Sequence, residues 1–377
     1  MTTDTLVRNT TRTLNYGIIG CGMMGQEHLR NIALLKDTVI GAIFEPDATM
    51  RAHALVLAPS AQFVDSVEEL LAIEDLDCLV IVSPNFRHLE QLQTIAAHRP
   101  LPVLVEKPLF TDVSQMAELK EFAASYPAPV WVAMEYRYMP PVAKFLAEAQ
   151  AATGGIKMLT IREHRFPFLN KVGDWNRFNN QTGGTFVEKC CHFFDLMRLA
   201  LGSNPVRVMA MGGQAVNHLN EVVDGNQPDI FDHGYVMVEF ENGASAMLEL
   251  CMFAEGARYQ EEISAVGENG KIEAFVPGPG RFWPADLGPA PVPEVIISPR
   301  SPKGPRVEEI PVDPALLAAG DHNGSTYYQH VFFRDLVLGN RKEAAVTLAD
   351  GMWSVLLGHC SQVSMLESRC VSVSEFM

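Results

Sequence analysis

From Tyr16 to about Ala133, short apolar runs alternate with stretches whose apolar residues recur at helical spacing. The runs YGIIG (16–20), VIGAIF (39–44), DCLVIV (77–82), PVLVE (102–106) and PVWVA (129–133) are continuous and rich in β-branched residues. Such runs suit strands buried on both faces, as in a parallel sheet. The stretches between them carry helix starts. Ser66-Val67-Glu68-Glu69 fits a capping box, and Thr111-Asp112 opens an amphipathic stretch through Ala124. Strand–helix alternation with short links predicts βαβ units with right-handed crossovers. Residues 14–135 are therefore expected to form a doubly wound α/β sheet.

The pattern changes after a helix near Val142–Ala151 and the break Thr153-Gly154-Gly155. Residues 157–164, 206–212, 235–250 and 262–275 read as longer strands, and two of their links contain Asn-Gly, a hairpin signal. Residues 136–377 are expected to form a second, α+β domain around a large, mostly antiparallel open sheet. Its face needs cover from helices or from another subunit. Residues 277–314 hold 11 of the 24 prolines, which predicts a loop excursion with at most edge strands at 294–298 and 306–312. Two helical segments, about 325–338 and 348–367, close the chain.

Composition narrows the partners. The 377 residues are 47% hydrophobic and 20% charged, which excludes wholesale disorder. The net charge of −16 argues against nucleic acid and anionic membrane surfaces. No apolar run of ~18 residues is present to span a bilayer. Residues 1–13 lack the apolar core of a secretory signal and read as a mobile arm. Seven scattered cysteines without CxxC suit free thiols in a reducing cytoplasm and give no metal spacing.

Four signals carry chemistry. Gly20-Cys21-Gly22-Met23-Met24-Gly25 follows a strand and opens a helix, the context in which glycines let backbone approach a pyrophosphate at a helix N-terminus. Glu45 ends the next strand; a carboxylate there hydrogen-bonds a ribose 2′-hydroxyl and repels a 2′-phosphate, favouring NAD over NADP. Ser83-Pro84-Asn85, with His88 just beyond, lies at the carboxyl edge of the sheet and reads equally as a capping turn or a ligand contact. Glu106-Lys107-Pro108 ends the run PVLV, where Lys107 either aims its ammonium at a substrate oxygen or snorkels beside Glu106. Last, TFVEKCCHFFDLMRLALG (185–202) reads as one buried helix in which Glu188, His192 and Asp195 form a polar stripe. Two carboxylates flanking an imidazole would orient its tautomer. A third metal ligand is missing nearby, so no metal is expected.

In this order the motifs resemble the glucose–fructose oxidoreductase/inositol dehydrogenase/rhizopine catabolism family (Gfo/Idh/MocA), from about Leu14 to the C-terminal helices. The resemblance implies a Rossmann domain followed by an α/β domain whose open sheet builds the substrate site and packs against another subunit, as a homodimer or homotetramer. It places the lysine of the family's EKP motif on Lys107, and the acid and histidine of its GG-x(3)-D-x(3)-H helix on Glu188 and His192. Glu188 stands where the family usually has Asp, and Lys189-Cys190-Cys191 replaces a small or apolar stretch. The implied reaction is hydride transfer between a carbinol of a small carbohydrate and NAD, with His192 as base, Glu188 steering it and Lys107 holding the reacting oxygen; the roles of Lys107 and His192 could be exchanged.

For the substrate, Arg165 and Arg177, with Arg162, Lys171 and His164, form a local positive excess that suits an anionic sugar derivative or is scattered surface charge. Trp175 could stack on a sugar ring, and Asn176, Asn179 and Asn180 could bond hydroxyls or serve turns. His322, Tyr327 and Tyr328 could close the site. His28 is expected to be structural, and Cys190 and Cys191 small buried residues. Two other functions fit the same motifs: an enzyme that retains NAD and uses transient oxidation to cleave a glycosidic bond, and a non-catalytic NAD-binding sensor.

Overall fold

A computed structural model describes residues 12–377; apart from Arg12 and Thr13, the expected N-terminal arm lies outside the described residues. Six strands form the first sheet: β1 (Leu14–Ile19), β2 (Thr38–Phe44), β3 (Gln62–Val64), β4 (Cys78–Ile81), β5 (Val103–Val105) and β6 (Val130–Val132). They are parallel, in the order β3-β2-β1-β4-β5-β6. The order reverses between β1 and β4, which opens a crevice at the carboxyl ends of the strands. The helices between them are α1 (Met23–Ala33), α2 (Ala48–Leu57), α3 (Val67–Leu71), α4 (His88–His98) and α5 (Met116–Ser125). Asp47 caps α2, and Ser66 caps α3 as expected, although the reciprocal arm of the expected box goes elsewhere, Glu69 accepting from the Asp65 N–H instead. Strands β4, β5 and β6 are buried at every residue, which is why they read as unbroken apolar runs. Strand β3 escaped the pattern because it has three residues and an exposed Gln62.

The second half begins with α6 (Pro140–Thr153), which ends at Gly154 in the left-handed conformation, φ 71°. Nine strands follow: β7 (Ile156–His164), β8 (Pro205–Gly213), β9 (His233–Phe240), β10 (Ser245–Cys251), β11 (Glu261–Gly267), β12 (Gly270–Val276), β13 (Glu294–Pro299), β14 (Arg306–Glu309) and β15 (Val371–Ser372). Their order is β14-β13-β12-β11-β7-β10-β9-β8-β15, and every pairing is antiparallel except β7 with β10. Burial alternates residue by residue along β9, so one face is core and the other open. The open face presents Met209, Met211, Tyr235 and Met237, all exposed.

The remaining helices are α7 (Asn179–Thr182), α8 (Thr185–Glu188), α9 (Cys191–Leu201), α10 (Pro314–Ala319), α11 (Ser325–Val337) and α12 (Leu348–Glu367). Helix α11 returns to the first domain, where Phe333 lies edge-on to Tyr16 of β1 at 6.3 Å. One expectation is corrected: residues 185–202 are two helices, α8 and α9, separated by a turn at Lys189 and Cys190. The break changes which side chains share a face. No described helix is long and apolar enough to cross a membrane.

Candidate active site

The glycine loop is built for close approach. Gly20 has φ +94°, and a Cβ there would lie 2.8 Å from the backbone of Val82 and Ser83. A Cβ on Gly25 would meet the Gly20 carbonyl at 2.6 Å, so this residue lets α1 pack on the loop. Gly22 differs: a Cβ there meets nothing within 4 Å. It caps α1 without any side-chain hydrogen bond, and the first turn beyond it, with Met23 and Met24, holds no acid. An uncapped helix N-terminus facing open space suits an anionic group. Glu45, buried at the end of β2, accepts from the Cys21 N–H and from the Asp47 N–H at 2.8 Å. Its carboxylate thus borders the loop where a ribose would lie.

Two further turns reach the same edge. Pro84 precedes the short helical turn Asn85–Arg87, and the buried Asn85 Nδ2 has no protein partner. The Ser83 hydroxyl is engaged by Gln91 at 2.6 Å. His88 ties this turn to the next, with its Nδ1 2.7 Å from the Pro108 carbonyl and its Nε2 3.0 Å from that of Ser83. Glu106 faces inward. Its carboxylate lies 3.0 Å from His28 Nε2, while His28 Nδ1 lies 2.7 Å from His330. This buried chain anchors the backbone that carries Lys107, whose N–H donates to Glu106 at 3.1 Å.

Lys107 crosses to the second domain, where its ammonium donates to the Glu188 carbonyl at 3.1 Å. Burial works against the charge, and Cys191, Glu188, Glu106 and Glu135 outweigh it, holding the ammonium above its usual range. The Cys191 thiol is itself pushed up to about 12, so near neutrality the carboxylates supply that effect. His192 is pushed well below 6.5, by burial first and then by Lys107, Lys189, His322 and Arg165. Its ring stacks on Tyr136 with centroids 4.0 Å apart and planes 6° apart, and its buried Nδ1 has no partner. A neutral imidazole beside a charged ammonium can accept a proton while the ammonium stabilises an oxyanion.

The two flanking carboxylates do not flank. Glu188 Oε1 pairs with Lys171 at 3.0 Å, leaving Oε2 buried without a partner, and Asp195 is held by the Arg137 guanidinium. The turn between α8 and α9 takes Glu188 off the helix that carries His192 and Asp195, and both acids find cations instead of the imidazole, Asp195 because the Arg137 guanidinium meets it there.

Of the other candidates, His322 joins the cluster. Its Nδ1 donates to Glu27 at 2.8 Å and lies 3.5 Å from Glu135, and its ring centroid is 6.0 Å from that of Tyr136. Trp175 lies under the Lys171 ammonium at 4.2 Å and edge-on to Phe86. Arg165 sits over the Phe166 ring at 4.3 Å, with its guanidinium 3.7 Å from Glu163. Arg177 is buried with its donors spent on Glu221, Leu169, Asn176 and Asn170, which takes it out of the candidate substrate set. Asn176 bonds the Leu169 carbonyl and Asn179 holds Asp229, so both serve turns. Tyr328 packs edge-on to Tyr327 at 5.6 Å. Cys190 and Cys191 are buried thiols.

Sequence reasoning missed Tyr136, Lys189, Glu27 and Glu135. Glu135-Tyr136-Arg137 follows β6 as Lys107 follows β5, so the rule that flagged one could have flagged the other. Lys189 was visible as one of two cations, with Arg198, inside the apolar window 185–202.

Comparison with known proteins gives the family and the fold. Residues 14–134 match the family model for the NAD-binding Rossmann fold of the oxidoreductase family Gfo/Idh/MocA, and residues 150–373 match its C-terminal alpha/beta domain. The inositol 2-dehydrogenase of Leifsonia xyli subsp. xyli is 34% identical over 281 residues, 73% of this chain and 76% of that enzyme. The solved levoglucosan dehydrogenase complex with NADH and levoglucosan aligns with TM-score 0.77 at 19% identity, covering 96% of this chain and 99% of the other. Scyllo-inositol dehydrogenase from Lactobacillus casei with NAD(H) and scyllo-inositol aligns with TM-score 0.73 at 19% identity, covering 96% and 100%.

Proposed function

The chain belongs to the Gfo/Idh/MocA oxidoreductase family, and from that premise we propose that it is an NAD-dependent dehydrogenase acting on a secondary alcohol of a sugar, polyol or sugar derivative. The observation that carries the reading is the meeting of Lys107 with Glu188 across 81 residues, beside the neutral His192. NAD, when bound, supplies a hydride acceptor at its nicotinamide ring. Gly20, Gly22, Gly25 and the start of α1 would hold its pyrophosphate, with Glu45 at the ribose.

His192 takes the hydroxyl proton of the substrate as the carbinol carbon is oxidised. Lys107 donates a hydrogen bond to the same oxygen and stabilises the charge that develops on it. Glu188 Oε2, buried and unpartnered, accepts from a neighbouring substrate hydroxyl; a polyol has such a hydroxyl to give. Trp175 and His322 border the substrate, and Arg165 is available to a carboxylate substituent.

The test is a panel of sugars, inositols and sugar acids incubated with NAD and read by NADH absorbance. NADH appearing in step with substrate supports the reading, and no turnover across the panel removes it. The chain is further proposed to self-associate as a homodimer or homotetramer through the open sheet face of Met209, Met211, Tyr235 and Met237, a run of exposed apolar residues of the kind that marks interfaces. Light scattering of the purified chain decides this. The seven free thiols suit the cytoplasm as its compartment.

A further inference from the structure

Lys189 has no part in the chemistry described so far, yet it touches the Tyr136 that stacks on His192. Its side chain is buried, and a buried ammonium costs several kcal/mol unless it is paired. The pairing is elaborate. Lys189 Nζ lies 2.8 Å from Glu163 on β7, and Glu163 stands directly opposite Glu261 of β11 in the sheet register. Both carboxylates are buried, and burial together with Glu163 raises Glu261 to about 7. On its other side the ammonium donates to the Tyr136 hydroxyl at 2.6 Å. The ring of Tyr136 is the one stacked on His192.

We propose that Lys189 is a positioning residue for His192: through its bond to the Tyr136 hydroxyl it fixes the ring that stacks on the imidazole. Its charge adds to burial and to Lys107 in disfavouring the imidazolium. This rests on the reading of His192 as the proton-transfer group. The charged groups that act on His192 are Lys107 from the end of β5, Arg165 just past β7, His322 from the segment before α11 and Lys189 from its own stretch, while Glu163, Glu261, Glu135 and Arg165 act on the Tyr136 that stacks on it, and Glu188 and Glu135 on Lys107. Among the cations, Lys189 alone is bonded to the ring that stacks on the imidazole. The Lys107 ammonium is bonded to the Glu188 carbonyl and His322 is held by Glu27.

The experiment is an NMR titration of the imidazole in the full chain, with His192 assigned through H192Q, for wild type, K189M, K189Q and K189R. Removing the charge is expected to raise the His192 midpoint by about one unit, and K189R to restore it. K189Q keeps a donor for the Tyr136 hydroxyl and carries the test if K189M does not fold. A His192 titration unchanged in K189Q overturns the proposal, since a merely structural lysine would alter stability without moving that midpoint. The titration needs no turnover. A chain that forms no NADH but shows the shift loses the dehydrogenase reading and keeps this one.

Discussion

His322 Nδ1 donates to Glu27 Oε1 at 2.8 Å, joining the second turn of the cofactor helix α1 to the segment that enters α11. The two residues are 295 apart in sequence, and their pair spans the seam between the domains. Although burial opposes it, Glu27 and Glu135 raise the imidazole to about 9; Glu27 falls to about 2, mainly through His322, also against its own burial.

Stability should follow that pair. The His322 contribution is complete below the ordinary histidine value of about 6.5 and is lost as pH rises through about 9. The Glu27 contribution is complete above about 4.5 and is lost as pH falls through about 2. Melting temperatures should therefore decline between pH 6.5 and 9, and H322Q should flatten that limb. Parallel curves for the two proteins would contradict the pairing.

Lys107→Ala and His192→Ala should each lower turnover at least roughly a hundredfold, the usual contribution of a proton-transfer group. NAD binding, followed by fluorescence titration, should persist in both. Near-normal rates in the two variants would remove the assignment. Because His192 is held well below 6.5, the wild-type rate of alcohol oxidation should stay level from neutrality down past pH 6.5.

The glycine loop separates packing from binding. Gly22→Ala meets open space at an extended backbone, φ −63°, so melting should hold while NAD affinity falls. Gly25→Ala must displace the Gly20 carbonyl, so both should fall. Equal losses of stability in the two variants would refute the distinction.

Glu45→Ala should weaken NAD and narrow its advantage over NADP, because the carboxylate that favours a ribose hydroxyl and repels a phosphate is gone. An unchanged ratio of the two affinities would sink the ribose role.

Asp195→Ala should cost about 3–5 kcal/mol, measured by denaturant unfolding, because it strands the buried Arg137 guanidinium. A loss below about 1 kcal/mol would show that Asp350, 3.6 Å from Arg137, carries the charge balance instead.

The strands β1, β4, β5 and β6 and the glycine loop were legible because burial on both faces and a tight turn each constrain residue type locally, and β2 was legible from its β-branched run although only Ala42 and Ile43 are buried in it. Strand β3 and helix α10 were not, being too short to show a period. Lys107 and His192 are nominated by their motifs, and the proposed chemistry rests on them. The stripe misled at Glu188 because i, i+4 spacing implies a shared face only while the helix is unbroken, and a turn at Lys189 and Cys190 intervenes; it misled at Asp195 because Arg137, from a distant turn, claims that carboxylate.

The sequence by itself determined the cofactor domain and the open-sheet second half, and it nominated Lys107 and His192 for the chemistry proposed above, since each is written in a local pattern of size, polarity or backbone freedom. Only the tertiary structure decided which charges meet. The partners of Glu188, Asp195, Arg177 and Lys189 are Lys171, Arg137, Glu221 and Glu163. Pairing of that kind is set by distance in space and by the cost of leaving a buried ion alone, and neither leaves a periodic mark on the chain.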